Sequence, residues 1–111
     1  MEKRGSVVVI KNVNAVKKAN VYFDGKVTSR TLQKPDGSKV TLGFMLAGEY
    51  TFNTNEKEVM TVLQGAMTVL LPGETEWKTI TEGEEFVVPG NSAFQVKVAK
   101  YVDYSCSYVA E

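Results

Sequence analysis

The sequence predicts an all-β domain, and three observations carry that reading. Turn residues fall at short intervals, at Asp24-Gly25, Pro35-Asp36-Gly37, Gly48, Gly65, Pro72-Gly73, Gly83 and Pro89-Gly90. Between them lie runs of strand length rich in Val, Thr, Phe and Leu: "KVTLGFML", "EVMTVLQ", "AMTVLL", "EFVV" and "AFQVKV". No window of about eleven residues or more carries a sustained apolar stripe at helical spacing. Short strands repeating at roughly eight to twelve residues suggest a sandwich or barrel, and closing the sheet removes the exposed edges that make small β domains aggregate. At 111 residues the chain has room for one core and one domain.

Residues 1–19 differ from the rest and read as an N-terminal extension. In it "SVVVI" suits a strand added to a neighbouring chain's sheet, and "NVNAVKKAN" a single helical turn or loop. The domain proper spans residues 20–111. In "KVTSR", alternation puts Lys26, Thr28 and Arg30 on one face. In "EYTFNT", Tyr50, Phe52 and Thr54 oppose Glu49, Thr51 and Asn53. The next run, "EVMTVLQ", is largely apolar on both faces. Glu58, Met60 and Val62 lie on one side and Val59 and Leu63 on the other, so cover is expected on both, with a partner subunit as one source. In "AFQVKV", Phe94, Val96 and Val98 share the inward face. Tyr104, Cys106 and Tyr108 share a face of the last strand, where packing accounts for them.

Thirteen basic and thirteen acidic residues cancel. With no long Lys or Arg run beyond Lys17-Lys18, a nucleic-acid polymer is not an expected partner. The single cysteine, Cys106, has no internal disulfide partner. With no histidine to activate it, it reads as a small core residue and not as a nucleophile. The apolar run near the start is too short for a signal peptide, and no segment suits a membrane crossing, so a cytoplasmic location is expected.

Set out by spacing, "NVYFDGKV", "GEYTF.T...E.MTVL.G", "LLPG...W", "G..F.VPG.S.F" and the closing "Y.C.Y" resemble the pyrimidine/purine nucleoside phosphorylase family within the cupin superfamily. The likeness covers about residues 20 to 108. It implies a single cupin-type (jelly-roll) β-barrel, a homodimer, and cleavage of purine and pyrimidine nucleosides with inorganic phosphate to free base and ribose 1-phosphate. Members of the family usually carry an arginine where this chain has Ser107. Metal-binding cupins place histidines and a glutamate where Phe52, Thr54, Glu58 and Phe94 stand here. One carboxylate and one hydroxyl do not replace that ligand set, so no metal and no cofactor are expected.

Phosphorolysis replaces the base at the anomeric carbon through a transition state whose sugar ring is cationic, and its nucleophile arrives already anionic. It needs a carboxylate near the ring, an anion site and a slot for the base. Glu58 is the candidate catalytic carboxylate, against the alternative of an exposed glutamate in the "NEKE" loop. Arg30, Lys26 and Thr28 are the candidate phosphate-binding group, against a solvated strand face. Tyr22, Phe23, Glu49, Thr51 and Asn53 are candidate nucleoside contacts, with rings that stack on any heterocycle. The same aromatics could instead be core. Two rivals use the same residues. One is a non-catalytic cupin binding a small sugar or nucleotide; the other is a metal-free isomerase with Glu58 or a tyrosine as base.

Overall fold

The computed structural model describes residues 9–110. Its eight strands are β1 (Asn14–Ala15), β2 (Asn20–Tyr22), β3 (Val27–Gln33), β4 (Lys39–Asn53), β5 (Lys57–Leu70), β6 (Lys78–Thr81), β7 (Glu85–Val88) and β8 (Ala93–Val109). A single 3-10 turn at Phe23–Gly25 joins β2 to β3. The all-β expectation holds, and no α-helix occurs among the described residues.

Every pairing is antiparallel, in the order β1-β3-β4-β8-β5-β6, with β2 also on β3 and β7 also on β5. The order does not return on itself, so the expected jelly-roll barrel is not closed by hydrogen bonds. The sheet curls instead. With no helix to cover it, the face carrying Val27, Met45, Val62, Val69, Val96 and Val102 is buried only because the sheet wraps around its own concave side.

The curl is set by three long strands. β8 lies between β4 and β5 along most of its length, and the register against it slips between Leu46 and Gly48 on β4 and between Val62 and Thr68 on β5. Such irregularities bend a strand and increase its twist. They also change which residues face inward. On β4 the buried positions are Val40 and then Thr41, Gly43 and Met45, followed by Tyr50, with Thr54 buried just past the strand's end; on β5 they run Met60, Val62 and then Met67 and Val69. Gly65 sits in the β5 irregularity with φ of 78°, and a Cβ there would strike the carbonyl of Tyr101. Only glycine meets both demands.

Of the two readings of "NVNAVKKAN", a helical turn or a loop, the segment takes the loop, interrupted by the short strand β1. Asn14 and Ala15 pair with Gln33 and Leu32. Most of "SVVVI" lies outside the described residues. Strand alternation puts Tyr50 and Thr54 inside and Glu49 and Thr51 outside, and Phe94, Val96 and Val98 are buried, as expected.

Candidate functional site

The concave face carries a cavity of about 130 Å³, opening to solvent. It is built from aligned residues on neighbouring strands. One row crosses the sheet as Ser29 on β3, Gly43 on β4, Tyr104 on β8 and Val62 on β5. A second reads Thr31, Thr41, Cys106, Met60 and Phe86. In a third, Tyr108 on β8 pairs with Glu58 on β5, which pairs with Val88 on β7. Side chains opposite one another on adjacent strands touch. The three rows therefore gather one carboxylate, one thiol and several hydroxyls over an apolar floor of Met45, Met60, Phe52 and Phe94.

Glu58 is half-buried at the edge of this floor. Burial pushes its carboxyl above the ordinary range, against a thiol hydrogen bond from Cys106 and the positive charge of Lys39, which favour ionisation. Donor groups are arranged beside it. The Thr41 hydroxyl lies 3.4 Å from the Tyr108 phenol. Tyr108 and Cys106 continue along the same face of β8 beside Glu58, whose cross-strand neighbour is Tyr108. Burial, then the charge of Glu58, pushes the Cys106 thiol up to about 12, which fixes it as a donor and removes it as a thiolate nucleophile. Burial likewise raises Tyr104 and Tyr108. Both stay neutral phenols at any ordinary pH.

Lys39 lies outside the cavity lining with its Nζ 4.7 Å from the centre of the Tyr108 ring. It is the cation whose charge bears on Glu58. Among the described residues no lysine or arginine lines the cavity itself.

At the mouth, Tyr22 is exposed and lines the cavity together with Asn53. Phe23 and Asp24 follow in left-handed backbone, with φ of 53° and 56°, ahead of Gly25 at 89°. Two such residues other than glycine in succession are strained, and the strain is held by packing. The Phe23 ring lies 4.9 Å from that of Tyr50 and 5.6 Å from that of Phe52. Phe52 continues to Phe94 at 5.6 Å. A ladder of rings thus runs from the surface to the cavity floor.

The sequence-based candidates separate under this geometry. Glu58, Tyr22 and Asn53 come together around one cavity, with Phe23 packed behind its wall. Lys26, Thr28 and Arg30 do share a face, but it is the other one. Between them Val27 and Ser29 point inward, and the Arg30 Nε donates to the Lys17 carbonyl at 3.2 Å on the exposed side. Glu49 is exposed and pairs across to Lys97, while Thr51 lines a separate shallow depression beside Pro72 and Gly73. Thr54 is no part of the cavity. Its hydroxyl donates to the Pro89 carbonyl at 2.7 Å and accepts from the Ser92 N–H at 3.1 Å, tying β4 to the turn before β8. Ser107 pairs with Val40 and Val59 on the face opposite Cys106 and Tyr108, so an arginine there would start from the convex side.

Ser29, Thr41, Tyr104, Cys106 and Tyr108 were missed as site residues. The polar tips of Tyr104, Cys106 and Tyr108, repeating at every second position of an otherwise apolar strand face, were the available signal. No group of three or more Cys, Asp or Glu side chains able to hold a metal ion occurs among the described residues.

The pyrimidine/purine nucleoside phosphorylase family matches the chain over residues 17–108. A relative from Clostridioides difficile (strain 630), named pyrimidine/purine nucleoside phosphorylase, is 58% identical over 101 residues, spanning 91% of this chain and 96% of its own. One of the same name from Syntrophotalea carbinolica is 57% identical over 99 residues, covering 89% and 95%. Among solved structures, a protein of unknown function (DUF1255) from Acinetobacter sp. ADP1 superposes with a TM-score of 0.88 at 37% identity, over 91% of this chain and 98% of that one. A protein of unknown function from Vibrio parahaemolyticus gives 0.79 at 42% identity, over 88% and 99%.

Proposed function

The chain belongs to the pyrimidine/purine nucleoside phosphorylase family, and from that premise we propose that it cleaves both purine and pyrimidine nucleosides with inorganic phosphate. The observation that carries the reading is Glu58, a carboxylate held on an apolar floor beside a ladder of rings in a cavity otherwise lined by neutral donors. A charge is costly in such a setting, and a site that keeps one has a use for it.

In the step itself a phosphate oxygen forms a bond to the anomeric carbon as the bond from that carbon to the base nitrogen breaks. The bonding electrons leave with the base, which takes up a proton from solvent, and ribose 1-phosphate remains. The ionised Glu58 stabilises the positive ring. Tyr22 at the mouth, with Phe23 packed behind the wall, offers a flat face to the base and reads little of its edge, which suits a broad range of bases. Because Lys26, Thr28 and Arg30 face away, the phosphate role passes to Lys39, assisted by the cavity hydroxyls.

The cavity is smaller than the roughly 300 Å³ and upward typical of sites that enclose a drug-sized ligand. It fits the sugar, with the base at the open mouth. Equal amounts of free base, seen by chromatography, and ribose 1-phosphate, seen by phosphorus NMR, are the expected products from uridine and from inosine. Loss of both products in Glu58→Gln and a raised KM for phosphate in Lys39→Met would support the assigned roles; full activity in either variant would refute that assignment.

The cupin likeness, a cytoplasmic location and a homodimer belong to the same proposal. One observation favours the second reading, a non-catalytic pocket for a sugar or nucleotide: no cation among the described residues lines the cavity. Nucleoside binding without phosphate-dependent cleavage would decide for it.

A further inference from the structure

The Tyr104 hydroxyl is buried, and among the described residues it has no hydrogen-bond partner. In the same cavity the Thr41 and Tyr108 hydroxyls pair with each other, yet Tyr104 stands outside that pair. A buried phenol without a partner costs about 1–3 kcal/mol, and folded proteins rarely leave one so unless something else occupies the place.

The backbone makes room for this hydroxyl. Tyr104 pairs with Gly43 across β4 and β8, and Gly43 pairs with Ser29 across β3 and β4. A Cβ on residue 43 would fall inside the Tyr104 ring tip, on Cζ and Oη. The ring therefore leans over bare backbone towards Ser29, whose hydroxyl accepts from the Asn20 amide at 3.2 Å and keeps its own proton free to donate. Tyr104 and Ser29 both line the cavity that holds Glu58. Two neutral hydroxyls facing a carboxylate make the pattern that binds an alcohol group: the alcohol donates to the carboxylate and accepts from a phenol or serine.

Resting on the phosphorylase reading, we propose that Tyr104 is a specificity-determining residue that donates its hydroxyl hydrogen bond to one hydroxyl of the nucleoside's sugar. Nucleosides lacking that hydroxyl are poor ligands, since they leave the phenol unpaired. Sites built around such a bond discriminate far more strongly than apolar pockets do.

The test is calorimetric binding of uridine, 2′-deoxyuridine, 3′-deoxyuridine and 5′-deoxyuridine to the full chain and to Tyr104→Phe, which keeps the ring and its packing. Uridine affinity is expected to fall about tenfold in the variant, the usual size of a lost bond to a buried hydroxyl. For one deoxy analogue, the one without the partner hydroxyl, wild type and variant should bind alike. An equal loss for all four ligands, or no loss for any, overturns the subsite. Phosphate-dependent uracil release by the wild type under either of those outcomes would leave the phosphorylase reading standing, whereas failure of the wild type to bind any of the four overturns both.

Discussion

Glu58 sets chemistry against stability within one residue. A carboxyl whose pKa rises on folding adds stability below its ordinary value near 4.5 and loses it as pH climbs through the raised one. Glu58→Gln is therefore expected to melt at a higher temperature than the wild type at pH 7. The difference should shrink as pH falls towards 4.5 and below, which thermal melts at several pH values would show. The same substitution should lower kcat about a hundredfold or more, the scale of removing one electrostatic contact to a developing charge. Because the active form is the ionised one, kcat/KM for uridine is expected to fall on acidification through the raised pKa of Glu58, at a pH above the usual carboxylate range. A rate flat from pH 7 down to pH 4 would remove Glu58 from the role. Its inward direction was legible from alternation with Met60 and Val62. Alternation also grouped Lys26, Thr28 and Arg30 correctly, but it does not say which face of a strand looks inward. Val27 and Ser29 won that side, as the apolar and the smaller polar pair.

At the scale of elements, β4 and β8 build most of the cavity, and at Gly43 the Tyr104 ring fills the place a Cβ would take. Gly43→Ala should cost about 1–3 kcal/mol by overpacking, read from denaturant midpoints, and should weaken uridine binding by displacing the phenol. An alanine variant as stable as the wild type would show that the ring has room to move. Thr54 holds the other end of β4. Replacing it by valine leaves the Ser92 N–H without its acceptor, while the Pro89 carbonyl keeps the Ser92 hydroxyl, at about 1–3 kcal/mol, with kinetic constants expected near wild type because its hydroxyl lies outside the cavity. Most strands could be read from composition and turn residues. The slips on β4 and β5 could not, since nothing in a single strand's sequence shows how its neighbour is registered against it. The change of inward positions from Met45 to Tyr50 follows from that slip alone.

At the scale of the molecule, the convex face of the sheet is as informative as the concave one. Leu42, Phe44 and Leu46 on β4, Leu63 on β5 and Tyr101 on β8 are between 38% and 48% exposed, and the rings of Phe44 and Tyr101 stack at 5.5 Å. Lys26 and Arg30 flank this patch on the β3 side, Asp103 sits within it opposite Phe44, and Glu85 lies beyond it on β7. A twofold axis along the strands would set the cationic side of one copy over the acidic side of another, so the patch suits a second copy of the chain. The two apolar faces read from "EVMTVLQ" raise the same expectation of cover. Phe44→Glu is expected to shift the chain from dimer to monomer in sedimentation; a monomeric wild type at micromolar concentration would refute the dimer. Closure of the sheet was the one global feature misjudged. Turn spacing counts strands but does not say whether the last one meets the first.

The central claim is a metal-free phosphorolysis centred on Glu58, and its most direct test is base release measured with and without phosphate. Chelator-treated protein would be incubated with uridine and with inosine, alongside Glu58→Gln. The account predicts release of uracil and hypoxanthine that requires phosphate, survives the chelator and is lost in the variant. Release independent of phosphate, or undiminished in Glu58→Gln, would contradict it.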